Sequence, residues 1–313
     1  MSGVFTFGET MALVRAESGP WETAGSGAIG IGGADSNVAI GLARLGVEVS
    51  WLGRVGDDAL GRRVVRDLRA EGVDVHAPIC PARTGLMIKQ KRTPHTSEVM
   101  FYRADSAGST LSPQDVPRDA VATADLVHVT GITAALSPSA RATVDAVVDL
   151  ARSEGVPVSF DVNHRPSLWH GENPVPVYRS LAERSDIVFA GEDEAHLLLG
   201  TTTGDPLVLA QAIVALGPTE VLIKSGSRGS SGVVGGEEIT APAISVPVVD
   251  TVGAGDAYVA GYLAARLAGD EAGERIRLAT TVGAFACLHI GDWEGLPRRD
   301  DLHLLHSSDP VTR

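Results

Sequence analysis

Lysine is almost missing from this chain: of its 26 basic residues only Lys89, Lys91 and Lys224 are lysines, the rest being arginine. None of the three follows glycine, so no GxxxxGK[ST] loop exists and a P-loop enzyme is excluded. Basic charge is scarce altogether: 39 acidic residues leave a formal charge of −13 with no basic tract, which argues against a nucleic acid or an anionic membrane as partner. Cys80 and Cys287 are too few for a disulfide framework, and two buried thiols are expected. No apolar run approaches a membrane span of about 20 residues. The segment MSGVFTFGE carries neither a basic region nor a cleavage site, so a cytoplasmic location is expected. A GxSxG elbow is absent. Gly25-Ser-Gly-Ala-Ile-Gly30 has the GxGxxG spacing, but it follows WETA rather than a strand and opens no helix, which speaks against a dinucleotide fold. His303 and His306 stand three apart, a spacing that could serve a metal, but in a polar segment they read as solvated surface.

What is present is an alternation. Val47–Gly53, Leu126–Thr130, Val156–Val162, Ile187–Ala190 and Glu220–Lys224 are short and apolar. Between them Ala59–Glu71, Ser137–Glu154 and Pro206–Leu216 repeat apolar residues at three and four, as amphipathic helices do. This predicts βα units and an α/β fold with a doubly wound, mainly parallel sheet covered by helices on both faces. Two regions, about 8–33 and 84–105, read as extended segments without helices (ETMALVRAE, TGLMIKQKR, SEVMFYRA) and suggest a separate small sheet. Residues 307–313 are expected to fray.

The most informative stretch is Asp250-Thr-Val-Gly-Ala-Gly-Asp256. Ile244–Val249 reads as a strand and Ala257 onward as a helix, which puts Gly253-Ala254-Gly255 at the strand-to-helix turn. Free N–H groups and the positive end of the helix dipole would there face an anion such as phosphate. Asp256 could be a helix N-cap. A second carboxylate six residues upstream and two glycines that open the backbone favour a general base beside an anion cradle, as phosphoryl transfer requires. In Phe160-Asp-Val-Asn-His-Arg165, Asp161, Asn163 and Arg165 alternate past an apolar strand, at the end where open α/β sheets bind ligands.

These segments resemble the PfkB, or ribokinase-like, carbohydrate kinases, whose DTxGAGD motif carries the anion hole and base. Gly32-Gly-Ala-Asp-Ser-Asn-Val-Ala-Ile-Gly-Leu-Ala-Arg-Leu-Gly46 and Leu52-Gly-Arg-Val-Gly-Asp-Asp-Ala-Leu-Gly61 are similar to the family's N-terminal signature, and the resemblance runs from about residue 4 to residue 300. The motif D-x-N-x-R-x-x-LW, Phe101-Tyr-Arg-Ala-Asp-Ser-Ala-Gly-Ser-Thr-Leu-Ser112 and Gly291-Asp-Trp-Glu-Gly-Leu-Pro297 resemble most the 2-keto-3-deoxygluconate kinases. The resemblance implies one kinase domain over 1–306, the extended segments forming a lid, and ATP with Mg²⁺. It places Asp256 as base, with Gly253, Ala254 and Gly255 as anion hole and Arg165 between sugar and phosphates. Gly33, Asp35, Asn37, Met87, Tyr102, Arg103 and Asp292 would touch the sugar, Arg103 beside its carboxylate. Asn163, Lys224, Ser225, Gly226, Arg228, Gly229, Ala284 and Cys287 would line the nucleotide, and Glu194 would reach the metal through water. A monovalent cation near Asp250 and a homo-oligomer paired through the lid are also implied. Guanidinium groups suit a carboxylate independently, because they bind it bidentately.

Two positions depart from the pattern. Gly191 replaces the asparagine of N-x-x-E, and Met87 stands where a tyrosine is common, which removes a hydrogen bond that could select the sugar. Fructokinase, another sugar or nucleoside kinase, and a catalytically weak sugar sensor on the same fold are the alternatives. An intact Asp256 speaks against the sensor, since a pure binder has no need of a base.

Overall fold

A computed structural model describes residues 3–17, 19–93 and 96–306. The main sheet has nine strands, in the order Asp74–His76, Val49–Leu52, Val4–Phe7, Leu126–Thr130, Val158–Asp161, Ile187–Gly191, Glu220–Lys224, Ser230–Val234 and Glu237–Ala241. The first seven pair in parallel and the last two antiparallel. The central strands are buried on both faces, as their continuous apolar runs require. Two large apolar clusters cover the sheet: Trp51, Phe189 and Tyr262 belong to one, Phe5, Phe160 and Tyr178 to the other.

A second, four-stranded sheet runs Gly27–Gly32, Met11–Ala16, Leu86–Thr93, Thr96–Tyr102. Its middle pair is parallel and its outer pairs are antiparallel. Its small core is Met11, Leu13 and Met87. This is the expected fold class, a mainly parallel helix-covered sheet with a smaller sheet beside it.

Three expectations fail locally. Ile244–Val249 forms no strand: Pro242 and Pro247 lack the N–H that a ladder needs, and Val248 and Val249 are exposed. The helix after it begins at Ala254, not Ala257, and runs to Leu267. Its N-cap is Gly253, at φ 78°, so Asp256 lies inside the first turn and is no cap. Both thiols are only partly buried. The expected tail, 307–313, lies outside the described residues.

Candidate active site

The carboxyl ends of the parallel strands deliver one polar group after another to a common level. Thr130 ends one strand, Asp161 the next, Gly191 the third and Lys224 the fourth, with Thr130 in register with Asp161 and Gly191 with Lys224. Lys224 donates to both carboxylate oxygens of Asp161 at 2.8 Å. Burial opposes the lysine's charge, but Asp161 and Glu194 outweigh it and hold its pKa above the ordinary value. Beyond Asp161 the chain turns through Asn163, whose φ of 37° is a left-handed conformation that asparagine tolerates better than most residues. That turn aims the Asn163 amide at Asp256.

Asp256 is buried in the first turn of its helix. Its Oδ2 accepts a hydrogen bond from Asn37 Nδ2 at 2.8 Å and its Oδ1 one from Asn163 Nδ2 at 3.3 Å. Burial raises its pKa to about 6, with the Asn37 bond working against the rise and the Asp161 charge adding to it. A carboxylate poised there is ionised at neutral pH yet basic enough to draw a proton from a hydroxyl.

Asn37 comes from the helix Ala34–Arg44, capped at Gly33, where a side chain would collide with the Glu9 carbonyl. On the same helix Asp35 accepts bonds from Thr130 Oγ1 at 3.2 Å and Thr133 Oγ1 at 3.0 Å through one oxygen. Its other oxygen, and the Asn37 side-chain oxygen, are buried without a partner. Two orphaned acceptors beside a candidate base fit the hydroxyl donors of a polyol. Burial pushes the Asp35 pKa to about 7.

A cleft of about 810 Å³ opens in front of the helix terminus, lined by Asn163, Arg165, Glu194, Lys224, Gly226, Gly229, Gly253, Ala254, Gly255, Asp256, Ala284 and Cys287 among others. The volume suits a nucleotide-sized ligand. Its outer wall is the segment Ile244–Val248, which the strand reading had hidden. Arg165 is exposed and donates to its neighbour's carbonyl, the His164 oxygen, at 3.0 Å, with no acidic partner among the described residues. Glu194 accepts from the backbone N–H groups of Gly191 at 2.6 Å and His164 at 2.8 Å. Among the described residues no three acidic, histidine or cysteine side chains converge as a metal cage. A divalent ion here would therefore be held chiefly by phosphate oxygens and water, with Glu194 outside that shell.

The remaining candidates divide. Asp292 is buried, its pKa raised to about 7 by burial although Lys89 opposes the rise, and its carbonyl packs over Gly253. Met87 sits beneath Gly32 in the small sheet's core. Arg103 is ion-paired with the buried Glu9, with an Nη–O distance of 2.6 Å, and Glu9 also accepts from Ser106. Tyr102 is 59% exposed at the end of the edge strand, outside the buried polar cluster. Arg228 pairs with Glu192 and does not line the cleft, while Ser225 closes its turn through a backbone bond to the Gly229 carbonyl at 2.8 Å. His303 bonds the Asp300 carbonyl at 2.7 Å.

The sequence reading missed Lys89, Glu9, Thr130 and Thr133. For Lys89 a signal existed: strand alternation puts it on the same face as Met87. All three lysines of the chain converge here. Lys89 bonds Asp250, Lys91 donates to the Val249 carbonyl at 2.9 Å, and Lys224 bonds Asp161.

A helix terminus open to anions, a buried aspartate of raised pKa and a cleft at the carboxyl edge of a doubly wound sheet are the parts of a phosphoryl-transferring enzyme. Comparison with known proteins narrows that class. A family model described as pfkB family carbohydrate kinase matches residues 1–299. The chain is similar to the 2-dehydro-3-deoxygluconokinase of Bacillus subtilis strain 168, with 38% identity covering 95% of this chain and 93% of the relative. It is 34% identical to that of Thermoproteus tenax over 85% of this chain and 82% of the relative. Among solved structures, a putative ribokinase II from E. coli in complex with ATP and Mg²⁺ matches with a TM-score of 0.89 and 26% identity, covering 98% of this chain and 99% of the other. The chain belongs to the pfkB family of carbohydrate kinases and is an ATP-dependent sugar kinase.

Proposed function

We propose that this kinase phosphorylates a primary hydroxyl of a sugar acid, and that 2-keto-3-deoxygluconate, also called 2-dehydro-3-deoxygluconate, is its acceptor. The observation that carries the reading is a juxtaposition. The orphaned acceptors of Asp35 and Asn37 lie on the helix that bonds Asp256; Arg103 holds Glu9, whose carbonyl packs against Gly33 at the start of that helix, and Arg165 stands two residues beyond Asn163, which also bonds Asp256. Similarity to kinases named for this acid supports it. Hydroxyls of the sugar bond Asp35 and Asn37. Arg165, which has no acidic partner among the described residues, reaches the anionic groups, and Arg103, held in line by Glu9, meets the acid's carboxylate.

Asp256 takes the proton of the attacking hydroxyl, steadied by the Asn37 and Asn163 amides. The N–H groups of Gly253 and Gly255 hold the charge that develops on the transferring phosphoryl group, joined by that of Ala254 once it turns from the Thr251 carbonyl, to which it donates at 3.3 Å. Lys224, Gly226, Gly229, Ala284 and Cys287 receive ATP. Mg²⁺, when bound, neutralises phosphate charge, with Glu194 ordering its water. The lid's edge strand, with Phe101 and Tyr102 exposed on it, is the surface through which we propose the protein pairs with a second copy.

If Arg103 meets a carboxylate, Arg103→Met lowers kcat/KM for the acid by about 10–100-fold, the rate equivalent of a charge-assisted bond of roughly 1.5–3 kcal/mol. Fructose phosphorylation then changes much less. Equal losses for both acceptors would remove Arg103 from the acid's site and reduce it to a lid strut held by Glu9.

Gly191 supplies a second test. A Cβ built there meets only Glu194, at 3.5 Å, and φ is −73°, so asparagine fits without strain. Because Gly191 caps the helix Glu192–Leu199, Gly191→Asn should stabilise the fold by a few tenths of a kcal/mol. The Mg²⁺ concentration for half-maximal rate should fall or hold. Glu194→Gln should raise that concentration at fixed ATP; an unchanged magnesium profile would separate Glu194 from the metal.

A further inference from the structure

The carboxylates of Asp250 and Asp292 are both buried, and they converge on one cation, the ammonium of Lys89. Its Nζ lies 2.6 Å from Asp250 Oδ2 and 3.7 Å from Asp292 Oδ1, and the lysine is only 2% exposed. Asp250 is tied on its other sides as well: Oδ1 accepts from Val252 N–H at 3.3 Å and Oδ2 from Gly291 N–H at 3.4 Å. Val252 opens the turn that builds the anion cradle, Gly291 opens the loop carrying Asp292, and Lys89 comes from the smaller sheet. One charge thus stands where the lid, the cradle and the Asp292 loop meet. Lys91, two residues along the same strand, grips the Val249 carbonyl next door.

A monovalent cation was the expected partner of Asp250. The residues present do not fit one, because the hydrogen-bonding position at that carboxylate is filled by Nζ, and an ion placed there would meet the ammonium's like charge. Carboxylates buried this close need a counter-charge, since burial strongly disfavours an unpaired ion. We infer that Lys89 supplies it covalently: its ammonium takes the place of a loosely bound alkali cation, holds Asp250 and the cradle turn in position, and frees the kinase from any monovalent-cation requirement. Lys89 is a positioning residue, acting through Asp250 on the amides of Gly253–Gly255. The inference rests on the phosphoryl-transfer reading of the site but on no particular sugar.

The test uses the full-length protein in buffers whose cation is tetramethylammonium or potassium, at about 0.1 M each so that screening is equal. Two readouts are taken, phosphoryl transfer and the thermal unfolding midpoint without ATP or sugar. Wild type should show the same rate, within about twofold, and the same midpoint in both buffers. Lys89→Ala should lose at least about tenfold in kcat in tetramethylammonium, the cost of one displaced electrostatic contact, with nucleotide affinity changed less. Potassium or ammonium should restore much of that rate and raise the variant's midpoint, because a vacated anionic site then binds the ion. A wild-type rate or midpoint that rises specifically with potassium would overturn the inference. So would a folded Lys89→Ala protein that potassium neither stabilises nor reactivates, or one fully active without it. Absence of phosphoryl transfer to any sugar would count against the functional reading instead, and the midpoints would still decide the role of Lys89.

Discussion

Asp256→Asn is expected to lower kcat by at least about 100-fold, the usual worth of a positioned general base, with nucleotide affinity held within a few-fold. The substitution keeps the shape of the carboxylate and removes its basicity, so the fold should survive. The pH profile makes the assignment specific. Burial lifts the Asp256 pKa to about 6, above the ordinary aspartate value. Below that pH the base is protonated and wild-type kcat/KM should fall about tenfold per unit; above it the rate should level off. The residual rate of Asp256→Asn should lack this acid limb. A folded variant of near-normal kcat would remove Asp256 as base.

Gly253→Ala should be nearly as damaging, for a different reason. Gly253 holds φ at 78°, which alanine adopts at a cost of about 1–3 kcal/mol, and the added Cβ would overlap the Asp292 carbonyl oxygen. Relief of that overlap moves either the cradle or the Asp292 loop, so a loss in kcat of about 100-fold should come with a lower melting temperature. Gly255→Ala is the control. Its Cβ would meet only the Lys224 ammonium, at 3.6 Å, so its melting temperature should hold while phosphate approach is hindered. Equal stability and full activity in both variants would mean that the turn does not bind the transferring group.

The architecture was legible where short apolar runs are buried on both faces. Leu126–Thr130 and Glu220–Lys224 form strands with the bounds that the sequence suggested. Legibility failed where a segment answers to distant partners. Ile244–Val249 has strand-like composition, but Pro247 interrupts it and its neighbour is a cleft, not a strand. The hairpin Ser230–Val234 and Glu237–Ala241 carried a turn signal in Gly235-Gly236, both at positive φ, yet its mixed residues look like loop because one face of this edge is solvated. In the site, local motifs announced Asp256, its glycines, Asn37 and Asn163. Strand alternation placed Lys89 on the face of Met87 but could not name its partner, and Glu9, in the loop between Val4–Phe7 and Met11–Ala16, reads as solvated: the partners that bury them, Asp250 and Arg103, lie 161 and 94 residues away.

Acceptor choice is measured most directly as kcat/KM of the wild-type kinase with 2-keto-3-deoxygluconate and with fructose, under saturating ATP and Mg²⁺. A charge-assisted contact of roughly 1.5–3 kcal/mol predicts a preference of at least about tenfold for the acid, with phosphate appearing on its primary hydroxyl. Equal or better turnover of fructose would contradict the acid assignment and leave a sugar kinase of another specificity.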